Sequence, residues 1–252
     1  MRLNNRVAIV TGAGVGIGKA IALGYAREGA KVVVAEINAE TGQATADEIH
    51  ALKFDGVFVR TDVAEESDVR TLVEKTIERY GRVDILVNNA AILLDGQDKR
   101  VHELSNEVWD RTMAVNLRGH WLCAKYVIPI MLKQGGGCII NLASPTGMRG
   151  FTDLTAYSTS KGGIIALTRA MAADYSRDHI RVNAIVPGTI DTPMNASTLS
   201  DPKRREALMA MAPSGRLGQA SDLAGVAIFL ASDEAEYCMG GFYMVDGGLM
   251  AI

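Results

Sequence analysis

The chain has 252 residues, 48% of them hydrophobic and 22% charged, which is enough to bury one large core in a single domain. Its 26 Lys and Arg against 29 Asp and Glu leave a formal charge of −3, and Lys203-Arg204-Arg205 is an isolated basic run, so neither nucleic acid nor a membrane surface is an expected partner. Cys123, Cys138, Cys238 and the four histidines fall at no metal-ligand spacing, no apolar run has the length of a membrane span, and the first strand begins too near Met1 for a signal peptide. The expectation is a soluble cytoplasmic protein without a metal.

The first strand, Val7 to Val10, runs into a turn that carries Gly12, Gly14, Gly16 and Gly18 with Val15 and Ile17 between them, and Lys19 to Leu23 opens a helix. Glycines there let the backbone approach a pyrophosphate, and the first-turn N–H groups of the helix point at the anion. A second apolar run, Lys31 to Ala35, closes on Glu36, with Ile37 beside it. An acidic residue at that place bonds the adenosine ribose and repels a 2′-phosphate, and no Lys or Arg follows it or sits inside the glycine turn, which favours NAD over NADP. A helix over Thr41 to Leu52, a strand over Gly56 to Arg60 ending at Asp62 and Val63, and a helix over Glu65 to Tyr80 come next. The fourth strand spans 83–87 and closes on Asn88-Asn89-Ala90-Ala91. Residues 92–104 read as a polar surface loop.

A long apolar-periodic helical segment covers about Ser105 to Leu132 and carries Asn116 in apolar surroundings, where a buried amide requires partners. Gly135-Gly136-Gly137 ends it, and the fifth strand, 138–143, delivers Ser144 to its end. A helix from Asp153 to about Arg177 holds Tyr157 and Lys161 one turn apart on one face. The sixth strand, 180–186, closes on Pro187-Gly188. Residues 189–216, with a short helical patch over 202–211, have the composition of a lid. A helix over 221–230 and a seventh strand over 242–245 complete the alternation. The pattern predicts an α/β, Rossmann-type, doubly wound, seven-stranded parallel sheet with helices on both faces.

Ligands of such sheets bind outside the carboxyl ends of the strands, which gathers the glycine turn, Glu36, Asp62, Asn89, Ser144 and Pro187 on one side. A phenol ordinarily titrates near pH ~10, and a nearby cation lowers that value. Lys161 beside Tyr157, with the Ser144 hydroxyl holding a substrate oxygen, therefore makes a general acid/base set for interconverting an alcohol and a ketone against a nicotinamide.

These residues, in this order and spacing, resemble the short-chain dehydrogenase/reductase family: Thr11-Gly12-x-x-x-Gly16-Ile17-Gly18, Asn88-Asn89-Ala90, Asn116, Ser144, Tyr157-x-x-x-Lys161, and Pro187-Gly188 with Thr192. The resemblance implies that Tyr157 is the acid/base and that Lys161 lowers its pKa and binds the nicotinamide ribose. Ser144 positions the substrate and Asn116 holds a relay water. It further implies adenine contacts from Asp62 and Val63, ribose contacts from Asn89 and Ala90, with Ala91 also at the cofactor, carboxamide contacts from Ile190 and Thr192, and a homotetramer. The family usually has glycine where Ala91 stands, and Pro145 stiffens the loop after Ser144.

The leading reading is an NAD-dependent dehydrogenase of secondary alcohols acting also on the matching ketones. Met148, Met194, Met209, Met211 and Ile92-Leu93-Leu94, if they face the pocket, hint at a hydrophobic substrate. Three other readings stay open: a 3-oxoacyl (acyl-carrier) reductase or a sugar or polyol dehydrogenase, a methyltransferase using S-adenosylmethionine, and an NAD-sensing binding protein without turnover.

Overall fold

The computed structural model describes residues 1–251. Its elements, in chain order, are β1 (Val7–Thr11), α1 (Gly16–Arg27), β2 (Lys31–Glu36), α2 (Ala39–Ala51), β3 (Gly56–Arg60), α3 (Glu66–Tyr80), β4 (Ile85–Asn88), α4 (Asn106–Met113), α5 (Gly119–Gln134), β5 (Gly137–Leu142), α6 (Thr155–Tyr175), β6 (Ile180–Pro187), β7 (Ile190–Asp191), α7 (Ala196–Leu199), α8 (Pro202–Met211), β8 (Gly218–Gln219), α9 (Ser221–Ala231) and β9 (Phe242–Val245). Seven strands pair in the order β3-β2-β1-β4-β5-β6-β9, and every pair is parallel. The chain reverses its direction of travel across the sheet between β1 and β4, and the crevice at their carboxyl ends is where the fold leaves room for a dinucleotide.

Why these strands sit in the middle follows from their side chains, which are apolar on both faces. Ala8, Val10, Val32 and Val34 pack with α1, α2 and α9, whereas Ile9, Val33, Leu86 and Ile139 pack with α3, α5 and α6. Each buried Val or Ile contributes about 1.5–3 kcal/mol, and the period of two directs alternate residues to opposite layers. The helix ends are marked by local chemistry. The Asn38 side chain accepts from Glu40 N and Thr41 N to start α2, and Gly81 and Gly135 take left-handed φ values of 74° and 82° to end α3 and α5. Among the described residues no helix is long and apolar enough to cross a membrane.

Apart from shifts of one or two residues at several element ends, three features differ from the sequence reading. The fourth strand begins at Ile85 rather than Val83: both main-chain groups of Val83 are bonded to the Gln134 side chain, and Val7 N is met by the Asp84 carboxylate (2.8 Å) in place of a strand carbonyl. The segment 105–132 is two helices joined by a π-helical stretch, Ala114–Arg118, that holds Asn116. The segment 189–216 holds β7, which pairs with β8 just beyond it, and the helices α7 and α8 between them.

Candidate active site

The glycine turn is shaped from below by Thr11. Its Oγ1 accepts from Asn89 N (3.0 Å) and Ala90 N (3.1 Å) and donates to Val87 O (3.2 Å), while Asn89 Nδ2 donates to the carbonyls of Thr11 (2.9 Å) and Gly12 (3.1 Å). The ends of β1 and β4 are thereby one unit. Gly12 takes φ +63°, and a methyl on Gly18 would overlap the Gly12 carbonyl oxygen and press on the Asn89 amide. Gly18→Ala is therefore expected to cost about 1–3 kcal/mol, as overpacking does, and to displace Asn89. Chemical denaturation alongside calorimetric titration with ADP-ribose reads both effects; unchanged stability and affinity would contradict this close packing.

Helix α1 starts without a side-chain cap and without an acidic residue in its first turn, so its opening N–H groups face the crevice free to meet an anion. The crevice is a cavity of about 440 Å³ lined by Gly12, Val15, Gly16, Ile17, Glu36, Ile37, Asp62, Val63, Asn89, Ala90, Ala91 and Thr192. These residues suit a dinucleotide: glycines below, apolar walls, and a carboxylate at one end. Glu36 Oε2 accepts from Gly14 N (3.0 Å), and its Oε1 accepts from Ile37 N (2.9 Å) and Asn38 N (3.1 Å). Lys19 is occupied elsewhere, its Nζ 2.8 Å from Glu48 on α2.

A second cavity, about 590 Å³, joins the first at Ile17, Asn89, Ala91, Thr192 and Met194 and is lined also by Tyr157, Lys161, Pro187, Gly188 and Ile190. Four predicted residues line neither cavity. Gly14 and Gly18 lie beneath the turn, where Gly14 gives its N–H to Glu36 and Gly18 lets the chain pass close to Gly12. Ser144 is buried behind the wall formed by Ala143, Pro145 and Thr146; its Oγ accepts from Thr146 N (3.2 Å) and pairs with Thr146 Oγ1 (3.0 Å). Asn116 is fully buried. Its Oδ1 accepts from Ile92 N (2.8 Å), and its Nδ2 donates to Ile92 O (3.0 Å) and Ser160 Oγ (3.2 Å).

Tyr157 is half-buried, and Lys161 is buried with its Nζ 5.6 Å from the centre of the tyrosine ring. Lys161 Nζ donates to Leu142 O at 2.7 Å, which carries the end of β5 to α6. Burial pushes the phenol up to about 12, opposed by the nearby Ser144 hydroxyl, and burial brings the Lys161 ammonium down to about 7. The unfolded chain thus binds a proton at Lys161 that the folded chain does not hold between pH 7 and 10.5, so stability rises with pH across that window. Above pH 10 the raised Tyr157 phenol acts in the opposite sense. Thermal melts of the free protein from about pH 6.5 to about pH 9.5 are expected to rise more steeply for the wild type than for Lys161→Met. Parallel profiles would show that Lys161 keeps its ordinary pKa.

The greasy wall expected from the methionines is only partly there. Leu93, Met194 and Met211 line the second cavity and Ile92 the first, but Met148, Met209 and Leu94 line neither, and Lys99, Thr146, Thr152, Asn195, Thr198 and Arg204 bring polar and charged groups. Sequence reading also misplaces part of the polar loop 92–104. Asp98 is 3% exposed, its carboxylate bonded to the main chain of α6, and Asp95 Oδ2 accepts from Thr198 Oγ1 on α7 at 3.0 Å. Arg111 and Val115 line the first cavity without having been singled out; no spacing or strand-end position marks them.

Together, a doubly wound parallel sheet, a glycine turn at its switch point and a half-buried tyrosine over a buried lysine beside the crevice define an oxidoreductase of the nucleotide-binding α/β class. A family model described as enoyl-(acyl carrier protein) reductase matches residues 12–250. The 2-(R)-hydroxypropyl-CoM dehydrogenase of Xanthobacter autotrophicus is 41% identical over 249 residues, covering 98% of this chain and 100% of its own. The cyclohexanol dehydrogenase of an Acinetobacter species is 39% identical over 246 residues, covering 98% and 95%. Among solved structures, a putative NAD(P)-dependent gluconate 5-dehydrogenase from Beutenbergia cavernae, with bound NADP at low occupancy, superposes with a TM-score of 0.94 at 36% identity over 99% of this chain and 98% of its own. The chain belongs to the short-chain dehydrogenase/reductase family.

Proposed function

We propose that this protein is an NAD-dependent dehydrogenase of secondary alcohols that also reduces the matching ketones. The observation that carries the reading is the Tyr157 phenol with the Lys161 amine over its ring, both in the wall of the second cavity, which opens onto the dinucleotide cavity, and Ser144 buried just behind that wall. Burial favours the neutral phenol and neutral amine, a pair one proton transfer away from phenolate and ammonium. The phenolate takes the alcohol proton during oxidation; the phenol returns it during reduction. Ser144 donates to the oxygen on which charge develops, with Thr146 fixing its rotamer. Nicotinamide, when bound, supplies the hydride acceptor and, as the oxidised ring, a positive charge that favours the phenolate. Both amide protons of Asn116 are committed to Ile92 and Ser160, so a relay water would meet only its remaining Oδ1 lone pair or the π-turn carbonyls.

Preference for NAD rests on Glu36. The activities named for the hydroxypropyl-CoM and cyclohexanol dehydrogenases support a secondary alcohol as substrate. A second reading, a polyol or hydroxy acid, is favoured by Lys99 and Arg204 in the wall of the substrate cavity and by the gluconate 5-dehydrogenase likeness. Residues 189–216 act as the lid, held to the opposite wall through Asp95 and Thr198. Exposed Trp109 and Trp121 on α4 and α5, with Tyr237, Met239 and Met244 near β9, suit burial against further copies in a homotetramer. The reduced thiols of Cys123, Cys138 and Cys238 suit the cytoplasm.

The test is the rate of nicotinamide reduction with NAD and with NADP over aliphatic, alicyclic and aromatic secondary alcohols, polyols and sugar acids. Turnover with NAD on alicyclic or aliphatic alcohols is expected. Silence across the panel while NAD still binds would sink the enzyme reading in favour of a sensor.

A further inference from the structure

Helix α6 begins with an anomaly. Its N-cap is Leu154, a side chain that accepts nothing, so the N–H groups of Ala156 and Tyr157, the second and third helical residues, have no local partner. Both are taken by one carboxylate from far away in the chain: Asp98 Oδ1 accepts from Ala156 N at 3.0 Å and Asp98 Oδ2 from Tyr157 N at 2.9 Å. Asp98 is itself only 3% exposed, and its own N–H and that of Gln97 donate to Leu94 O at 2.9 Å.

The other side of Tyr157 is held as well. Ser160 Oγ donates to Tyr157 O at 2.7 Å and accepts from Asn116 Nδ2 at 3.2 Å, and Asn116 holds both polar groups of the Ile92 main chain. The segment 92–98 is thus tied to α6 at both ends, once through Asn116 and Ser160 and once directly by Asp98. It contributes Leu93, Asp95, Gly96 and Asp98 itself to the wall of the substrate cavity, Asp98 with its carboxylate turned to the main chain of α6.

We propose that Asp98 is a positioning residue for Tyr157: by capping α6 from the cavity wall, it makes the wall and the tyrosine one rigid body and sets where the phenol meets the substrate. The inference rests on the reading of Tyr157 as the acid/base. A cap supplied by residue 154 would satisfy the same two N–H groups while leaving the wall untied. The tie, not the cap alone, is what the position of Asp98 adds.

Kinetics, binding and amide exchange separate these roles. Asp98→Ala is expected to lower kcat by about 10²-fold, the loss that follows a misplacement of about 1 Å, with affinity for ADP-ribose unchanged because Asp98 does not line the dinucleotide cavity. Amide exchange should quicken at Ala156 and Tyr157 while the C-terminal half of α6 stays protected. Adding Leu154→Ser to Asp98→Ala restores a local cap: the melting temperature and the slow exchange should return, and kcat should stay low. Leu154→Ser alone is the reference, because Leu154 also lines the cavity. Should Asp98→Ala not fold, Asp98→Asn, which keeps one acceptor, is expected to fold and to lose kcat by about tenfold, an intermediate misplacement.

A kcat near the wild-type value in a folded Asp98 variant, or a kcat that returns together with stability in the double variant, overturns the proposal while Tyr157 keeps its role. A wild type inert toward every alcohol overturns the functional reading, and this proposal with it.

Discussion

Replacing Tyr157 with phenylalanine is expected to lower kcat for alcohol oxidation by about 10³-fold or more, within the range that positioned acid/base groups contribute, while ADP-ribose affinity stays near the wild-type value. The substitution removes one hydroxyl and little else. Lys161 remains over the ring face at about the present 5.6 Å, and the main chain of residue 157 keeps its bonds to Asp98 and Ser160, so the fold loses no support. What disappears is the group proposed to exchange the proton with the substrate oxygen.

The pH dependence carries the same claim in a second form. Oxidation needs the phenolate, so its rate should rise with pH as the phenol loses its proton; reduction needs the phenol, so its rate should fall over the same range. Burial in the free protein holds the phenol up to about 12, and the charged partners present during turnover bring that midpoint down. Opposite slopes in the two directions, both missing in Tyr157→Phe, identify the titrating group as the phenol. Activity within tenfold of wild type in this variant would remove Tyr157 from the reaction altogether.

How much of this was legible without coordinates depends on how local each signal is. The glycine turn, Glu36 and the strand ends were legible because a strand, a turn and a helix announce themselves within a dozen residues, and the parallel alternation then fixes which ends share a crevice. Tyr157 and Lys161 were legible because a spacing of four puts them on one helix face. Asp98 was not, since its carboxylate serves a helix that starts some sixty residues further on, and a polar loop offers no period by which to notice one buried acid. The break in the 105–132 segment escaped for a related reason: a π-helical stretch preserves helical composition while rotating the residues beyond it, and it turns Asn116 into the core. Whether the methionines at 148 and 209 face the pocket was not legible, because composition places apolar side chains in a region without saying which way they point, and neither lines the cavity.

Cofactor choice turns on Glu36, and here the expected change is one of preference. The carboxylate is fixed at the end of β2 by three main-chain N–H groups, those of Gly14, Ile37 and Asn38, at 3.0, 2.9 and 3.1 Å. Its remaining lone pairs are free to accept ribose hydroxyls, whereas a 2′-phosphate would bring like charge against an acid that cannot swing away. Two unit charges at about 4 Å repel by about 4 kcal/mol in the effective dielectric of a protein surface, and solvent at this half-buried site reduces that figure. Glu36→Ala removes the repulsion and also releases the three N–H groups, which together form a concave set of donors suited to an anion. The ratio of kcat/KM for NADP to that for NAD is therefore expected to rise by about 10²-fold, equivalent to roughly 2.7 kcal/mol. Glu36→Gln, which keeps one acceptor for the main-chain donors, should move it less. A solved relative carries NADP at low occupancy, so the family fold does not by itself exclude the phosphate, and the proposed preference is assigned to the side chain at this strand end. A wild type that already prefers NADP, or a ratio unmoved in Glu36→Ala, would show that Glu36 serves only to brace the glycine turn through Gly14.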